Sequence, residues 1–291
     1  MSICFVVNEF SNSSKAGTFI HEYEPQISKT FPKASIYYIN NLDNIDQVVS
    51  NAVNSFNTIV ACGGDGTIQC VAKHVFIAGK TLGVIPLGSG NDFAKSIGVL
   101  PKQHISYYLN ILKKSKITEL DFPSVNETLF LNTVGIGFDG LTNIYAQRMS
   151  HVKSGLKYTL AGIKAFFLAK TFTISVQTLN TNFTENVWMI VLANGAFEGG
   201  KFHISPSSIN TDGKVELVIF PAFSRIKLGY AFLKLSFGLE LNSSYYRCLS
   251  VQKARLNFPK SQPAHLDGEL FSIDKAADLA INNRKIRAIM A

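Results

Sequence analysis

The sequence predicts two units: an α/β unit built on a parallel sheet, then an antiparallel β unit with helices around it. Three observations carry this. Over residues 1–122 apolar runs alternate with stretches of helical periodicity, as in a parallel sheet with helices on its faces. One run, Thr58 to Cys62, leads through Gly63-Gly64-Asp65-Gly66-Thr67 straight into a helix-forming segment. Beyond Phe122-Pro123 β signals dominate, and Thr171 to Thr178 (TFTISVQT) alternates with period two.

In chain order, Ile3 to Val7 is a compact apolar strand. Its start has no basic n-region, so it reads as a strand and not a signal peptide. Asn8 to Gly17 is a polar loop, in which Lys15 either reaches a phosphate or is simply solvated. A weak helix runs to about Thr30, and Ala34 to Ile39 is the second strand. Ile45, Val48, Val49, Ala52 and Val53 mark a second helix. After the third strand, Ile68, Val71, Ala72, Val75 and Phe76 share one helical face, and Gly79 stands where a glycine stops a helix. Leu82 to Leu87 is the fourth strand. A helix follows Pro101 to about Lys114, and Ile117 to Asp121 is a strand leaving the first unit. In the second unit, strands are expected at Leu129 to Val134, Thr171 to Thr178, Asn186 to Ala193, Val215 to Phe220, Tyr245 to Val251 and Ala254 to Phe258. Helices are expected at Leu141 to Arg148, Tyr158 to Ala169 and Ser224 to Leu239. The boundaries read are 1–122, with about 284–291 returning to it, and 123–283.

Chemistry concentrates at two loops. In GGDGT, three glycines clear side chains from the backbone, and the following helix offers unpaired N–H groups to a phosphate. Thr67 adds a hydroxyl. Asp65 would repel a phosphate, so it fits if Mg²⁺ lies between them, or if it takes a ribose or acceptor hydroxyl. The alternative is a tight turn that is merely rich in glycine. The loop is neither a Walker A loop nor the GxGxxG fingerprint. Leu87-Gly88-Ser89-Gly90-Asn91-Asp92-Phe93-Ala94 repeats the logic one strand later. Asn91 or Asp92 is placed to cap the next helix, and Asp92 is equally a ligand candidate. Ser89 is placed to touch a nucleotide.

The totals set limits. At 291 residues, 46% hydrophobic and 16% charged, the chain is globular and long enough for two cores. It has no run of 18 apolar residues and hence no transmembrane helix. Cys4, Cys62, Cys70 and Cys248 lack CxxC spacing, so free thiols in a reducing cytoplasm are expected and zinc is not. A net charge of +8 suits an anionic partner, whether nucleotide, membrane surface or nucleic acid, or marks a soluble basic protein. No nucleic-acid-binding motif is present.

Together these landmarks resemble the soluble lipid kinases of the diacylglycerol kinase family and, more distantly, the superfamily that also holds NAD kinases. The resemblance rests on Asn8 and its loop, Gly63 to Thr67, Leu87 to Ala94, Asn132 with Gly135-Ile136-Gly137-Phe138-Asp139, Asn210 to Gly213, and Asp267-Gly268-Glu269, in family order. GGDGT is shared with NAD kinases; its pairing with GSGNDFA and a late DGE is more specific to lipid kinases. Glu9 stands where the family has proline, which bears on Lys15.

The resemblance implies a Rossmann-like N-terminal domain, an antiparallel β-sandwich C-terminal domain, a nucleotide between them, and a last strand, about Arg284 to Ile289, returning to the first domain. It implies ATP and Mg²⁺ as cofactors. Asn8, Asn40, Gly63, Gly64, Asp65, Gly66, Thr67, Ser89 and Asn91 form the nucleotide set. Asp65 is the leading metal candidate, with Asp92 and Asp121 completing the acids; Asp121 is otherwise a strand-end acid. Glu269 matches the family's general base, with a surface glutamate after a DG turn as the alternative, and Asp267 shapes that turn. Ile209, Asp212 and Lys214 match a second Mg²⁺ loop, or form a plain DG turn. The acceptor is expected to be diacylglycerol or another lipid hydroxyl, met at the inner membrane face by a cytoplasmic, peripheral protein. Val152 to Phe172, with Lys153, Lys157, Lys164 and Lys170 around Phe166 and Phe167, is either a headgroup-layer helix or core. Lys157, near Tyr158, is also a candidate for the phosphate side of the site. A homodimer is compatible with the sequence; a nucleic-acid partner is not expected. Rival readings are an NAD kinase and a non-catalytic nucleotide-binding regulator. Intact Asp65 and Glu269 argue against the regulator.

Overall fold

The computed structural model describes residues 2–149, 152 and 154–291. Lys153 of the expected headgroup segment and Met1 lie outside the described residues. The chain divides into two compact units, Met1–Leu120 with Arg284–Ala291, and Asp121–Asn283.

In the first unit, β1 (Ile3–Asn8), β2 (Ser35–Ile39), β3 (Thr58–Gly63), β4 (Thr81–Pro86) and β5 (Ile117–Leu120) alternate with α1 (Lys15–Thr30), α2 (Ile45–Ser55), α3 (Asp65–Ala78), α4 (Asp92–Ser96) and α5 (Ile105–Lys114). β1, β3 and β4 are buried along their whole length, as expected of central parallel strands covered on both faces. β2 is only half-buried and forms one edge. Strands β2, β1, β3 and β4 are parallel neighbours in that order. The chain thus leaves β1 toward one side of the sheet and β3 toward the other. The carboxyl ends of β1 and β3 lie side by side there, with Val7 opposite Cys62. This is the switch point at which open α/β sheets bind ligands.

α3 buries Ile68, Val71, Ala72 and Val75, the expected face, while Phe76 lies at its margin under Arg284. Gly79 (φ 66°) ends it with a Schellman pair: Lys80 N–H donates to Val75 O (2.9 Å) and Gly79 N–H to Phe76 O (3.3 Å). α1 already begins at Lys15, so the first polar loop is shorter than expected and exposed Lys15 opens the helix.

The second unit is an antiparallel sheet of eleven strands. In order come β6 (Ser124–Val125), β7 (Thr128–Leu129), β8 (Thr133–Gly137), α6 (Phe138–Gln147), α7 (Ser154–Leu168), β9 (Phe172–Thr178) and β10 (Asn182–Ala193). A small β11 (Phe197–Glu198) and β12 (Phe202–His203) pair with each other. Then follow β13 (Val215–Pro221), α8 (Arg225–Ser236), β14 (Arg247–Val251), β15 (Lys253–Asn257), β16 (Gln262–Leu266), β17 (Glu269–Ile273) and β18 (Ala276–Ala280). The sequence reading lacked β6, β11, β12 and β16 to β18, and it drew one strand over Leu129 to Val134 where β7 ends and β8 begins. The missed strands are short half-polar segments that carry little periodicity of their own.

Alternation along β10 and β13 serves two cores. Val187, Ile190, Leu192, Leu217 and Ile219 meet Val134, Val176 and Leu256 inside the curled sheet. Met189, Val191, Val218 and Phe220 face outward and are covered by Phe138 of α6, Ala165 of α7, and Leu228 and Leu235 of α8.

The chain ends in β19 (Ile286–Ile289), which belongs to the first unit. It pairs parallel with β4 and antiparallel with β5, closing the six-stranded order β2-β1-β3-β4-β19-β5.

Candidate functional site

In the first unit the two glycine loops meet. Leu87 N–H donates to Gly63 O (2.8 Å), and a Cβ on Gly88 would run into Gly64 Cα. Only glycine permits this approach. Asn8, at the end of β1, donates from Nδ2 to Thr67 Oγ1 (2.9 Å), and its Oδ1 accepts from Phe10 N (3.0 Å). Ser11 Oγ lies 3.4 Å from Thr67 Oγ1 and accepts from Gly64 N at 3.4 Å. Asn8, Gly64 and Thr67 therefore form one network. Ser11, absent from the sequence-predicted set, belongs to it; its only sequence signal was its place in the polar loop.

Asp65 ties the second loop to the first. Its Oδ2 accepts from Asn91 N (2.6 Å) and its Oδ1 from Asp92 N (2.7 Å). The cap of α4 is thus supplied by a residue from another loop. Asn91 occupies the cap position (φ 57°) without capping; instead its side chain bonds Gly88 N (2.9 Å) and Gly88 O (2.8 Å). That corrects the expectation that Asn91 or Asp92 caps this helix. Asp92 is buried and paired with Lys95 (3.4 Å). Oδ2 of Asp65 and Oδ2 of Asp92 both border the space beside Gly90, where a Cβ would lie 2.7 Å and 3.4 Å from them. Ser89 is exposed at the tip of its loop, and Gly66 is exposed in the first turn of α3. Asn40 is exposed just beyond β2, one strand outward from Asn8.

In the second unit, Glu269 is exposed at the head of β17. It follows a two-residue hairpin turn, Asp267 (φ 49°) and Gly268 (φ 85°), the positive-φ pair of a type I′ turn. The turn is held on both sides. The Asp267 carboxylate accepts from Leu131 N (2.7 Å), Asn132 N (2.8 Å) and Thr133 N (3.0 Å). Burial pushes its pKa up, against the pull of those three amides. Gly268 O accepts from Asn143 Nδ2 (2.8 Å) and Gln147 Nε2 (3.2 Å) of α6.

The same stripe of α6, one turn earlier, carries Asp139. It approaches Nε2 of His265, which is 3% exposed, at 3.0 Å, while Glu198 Oε1 approaches the same nitrogen at 2.6 Å. Burial disfavours a charged imidazole, yet the Asp139 and Glu198 carboxylates outweigh it and hold the His265 pKa well above its usual value. Burial, with Asp139 beside it, pushes Glu198 up to about 7. Asp139, Asn143 and Gln147 recur at i, i+4 and i+8, so this polar face was legible in the sequence. Glu198 and His265 join it only through the fold.

Asp121, 1% exposed, bonds the predicted cation loop directly. Its Oδ2 accepts from Gly213 N (2.7 Å) and its N–H donates to Asn210 O (2.8 Å). The structure therefore groups Asp121 with Ile209, Asp212 and Lys214. Asp65 and Asp92 form a pair in the first unit. Within the turn, Asp212 Oδ1 accepts from Lys214 N (3.0 Å), the geometry of a closed DG turn, and the Ile209 side chain is exposed. Among the described residues, two sets converge closely enough to share an ion, Asp46–Cys70–His74 and Asp139–Glu198–His265. The predicted metal residues are in neither.

The first unit thus carries interlocked phosphate-type loops at a switch point, and the second carries an exposed glutamate after an anchored turn. A family model of the diacylglycerol kinase catalytic domain matches residues 2–125, and one of the YegS C-terminal NAD kinase beta sandwich-like domain matches residues 132–277. The chain belongs to the YegS and diacylglycerol kinase-like lipid kinase family. The diacylglycerol kinase of Bacillus subtilis (strain 168) is 24% identical over 221 residues, 75% of this chain and 73% of its own. A relative from Pseudomonas putida named "probable lipid kinase YegS-like" is 27% identical over 232 residues, 72% of this chain and 76% of its own. A solved diacylglycerol kinase structure from Bacillus anthracis superposes with TM-score 0.76 at 16% identity, over 100% of this chain and 97% of that one. An NAD kinase from Archaeoglobus fulgidus does so with TM-score 0.52 at 11% identity, over 99% and 93%. Both likenesses concern the fold.

Proposed function

We propose that this protein is an ATP- and Mg²⁺-dependent kinase that phosphorylates a hydroxyl of diacylglycerol or a related lipid. The observations that carry the reading are one acid in each unit. Asp65 is clamped between two phosphate-type loops, and Glu269 stands exposed after a turn anchored through the Asp267 carboxylate and the Gly268 carbonyl. Phosphoryl transfer needs mainly positioning, charge neutralisation and a group to take the acceptor proton.

In this reading, backbone N–H groups of Gly63 to Thr67 and the Thr67 hydroxyl receive the phosphates, supported by Asn8. Asn91, Ser89 and Asn40 complete the nucleotide contacts. Asp65 and Asp92 would hold Mg²⁺, since carboxylate oxygens of both border the space beside Gly90 and oxygen ligands suit a hard cation. When bound, Mg²⁺ neutralises charge on the phosphate oxygens. Glu269 takes the proton of the acceptor hydroxyl as its oxygen bonds the γ-phosphorus and ADP leaves. Asp121 supports the 209–214 turn, where carbonyls of Ile209 and Lys214 with the Asp212 carboxylate would hold a second cation by reopening the Asp212 turn.

The test is ATP consumption with Mg²⁺ in mixed micelles of diacylglycerol, phosphatidylglycerol or ceramide, against NAD in buffer, with Glu269→Gln in parallel. Glutamate-dependent phosphorylation of one lipid is expected. Phosphorylation of NAD alone, or turnover of the lipid undiminished by Glu269→Gln, would overturn the reading. Lipid turnover at the membrane makes this a peripheral protein, and no helix among the described residues is long and apolar enough to cross a bilayer.

A further inference from the structure

Helices α7 and α8 lie side by side on the outer face of the second unit, joined where Arg225 of α8 donates to Ala169 O at the end of α7 (3.0 Å). Each buries one face and leaves the other to solvent, and in both the solvent face carries a stripe of apolar residues. On α7 the exposed apolar residues include Leu156, Leu160, Ile163 and Phe167, the last 70% exposed; Lys164 and Leu168 are exposed beside them. On α8 they are Ile226 (86%), Tyr230, Leu233 and, at the cap, Phe237 (74%). Both sets follow the spacing i, i+4, i+7, i+11, a single stripe along a helix. Isolated exposed apolar residues are ordinary; two apolar stripes on helices packed against each other are the kind of surface that marks an interaction site.

The charge around the stripes selects the occupant. Neither helix contains an aspartate or glutamate. Lys157, Lys164 and Lys170 flank the α7 stripe, and Lys234 flanks that of α8 with its ammonium 5.9 Å over Tyr230. The nearest acid in sequence, Glu240, faces His203 (3.3 Å). A second copy of this face would set lysines against lysines. An anionic headgroup layer satisfies both features, taking the apolar stripes below it and the lysine ends at its own level. Phe166, by contrast, packs among the buried residues with Arg225 over its ring, so of the two expected phenylalanines only Phe167 is free to dock.

We infer that the paired apolar stripes of α7 and α8 form a docking face for an anionic lipid bilayer. The purpose of such docking rests on the lipid-kinase reading, but the binding itself requires no turnover.

Sedimentation of the full protein with vesicles tests it, using phosphatidylcholine alone and phosphatidylcholine mixed with phosphatidylglycerol. Binding is expected to the anionic vesicles above the neutral ones. The pairs Ile163→Ser with Phe167→Ser, and Ile226→Ser with Phe237→Ser, should each weaken it by about tenfold or more while leaving the thermal midpoint in place. Glu269→Gln should bind as the parent does, so loss of turnover and loss of docking are read separately. Undiminished binding by both pairs, or equal binding to neutral and anionic vesicles, would overturn the inference. So would a dimer that the pairs dissolve without changing vesicle binding, since the patch would then belong to a second copy.

Discussion

Replacing Asp65 by asparagine separates its structural work from its chemical work. Its two carboxylate oxygens accept amides from Asn91 at 2.6 Å and Asp92 at 2.7 Å. Asparagine keeps one acceptor oxygen and turns an NH₂ group toward the other amide. One hydrogen bond to a charged acceptor is lost, worth about 1.5–3 kcal/mol, and a partly buried N–H faces a donor. The start of α4 loses its cap, and with it the support for Gly88 against Gly64. The expected cost is about 2–3 kcal/mol. At roughly 2–4 °C per kcal/mol, the thermal midpoint of the transition involving the first unit should fall by about 5–10 °C. Calorimetry of the full protein, followed by ATP titration, reads both effects. If Asp65→Asn abolishes turnover but unfolds within about 0.5 kcal/mol of the parent, the clamp contributes nothing and the carboxylate serves the ligand alone.

Glu269→Gln should behave in the opposite way. Its side chain is exposed, so stability stays unchanged while kcat falls by about a hundredfold or more, the usual worth of a general base. Asn143→Ala with Gln147→Ala removes both donors to Gly268 O; a kcat loss of about tenfold with little change in nucleotide affinity is expected, and an unchanged kcat would show that the turn needs no such support. The Glu198–His265 pair sets a pH slope. Both groups hold their protons more tightly when folded, so the pair's contribution to stability is full below about pH 4.5 and declines as Glu198 titrates toward about pH 7 and His265 above that. Denaturant unfolding of Glu198→Gln across that window should show a shallower decline; an identical slope would remove Glu198 from the account. Deleting Arg284–Ala291 takes away a strand paired on both sides, with Ile286 and Ile289 buried at about 1.5–3 kcal/mol each, so the first unit should lose its cooperative transition.

The sequence by itself determined what depends on neighbours in the chain. The apolar runs of β1, β3 and β4, the face of α3 and its glycine stop, and the change of period after Pro123 all express local geometry. So do the glycine loops, since a strand emptying into GGDGT and a helix needs no distant contact to be recognised. The DG turn before Glu269 was legible for the same reason. What tertiary structure decided is the set of partners. Asp65 reads as a ligand acid in isolation and becomes a cap only because β3 and β4 are adjacent, bringing Asn91 and Asp92 to its oxygens. Asp267 gains three amides from residues 131–133, far away in sequence, through the pairing of β16 with β8. Asp139, Glu198 and His265 meet from α6, β11 and β16, and the last strand inserts between β4 and β5. Periodicity reports which face of an element is buried. It carries no information about which distant element covers that face, because a hydrogen bond or a packed methyl group leaves no trace in the spacing of the residues that make it.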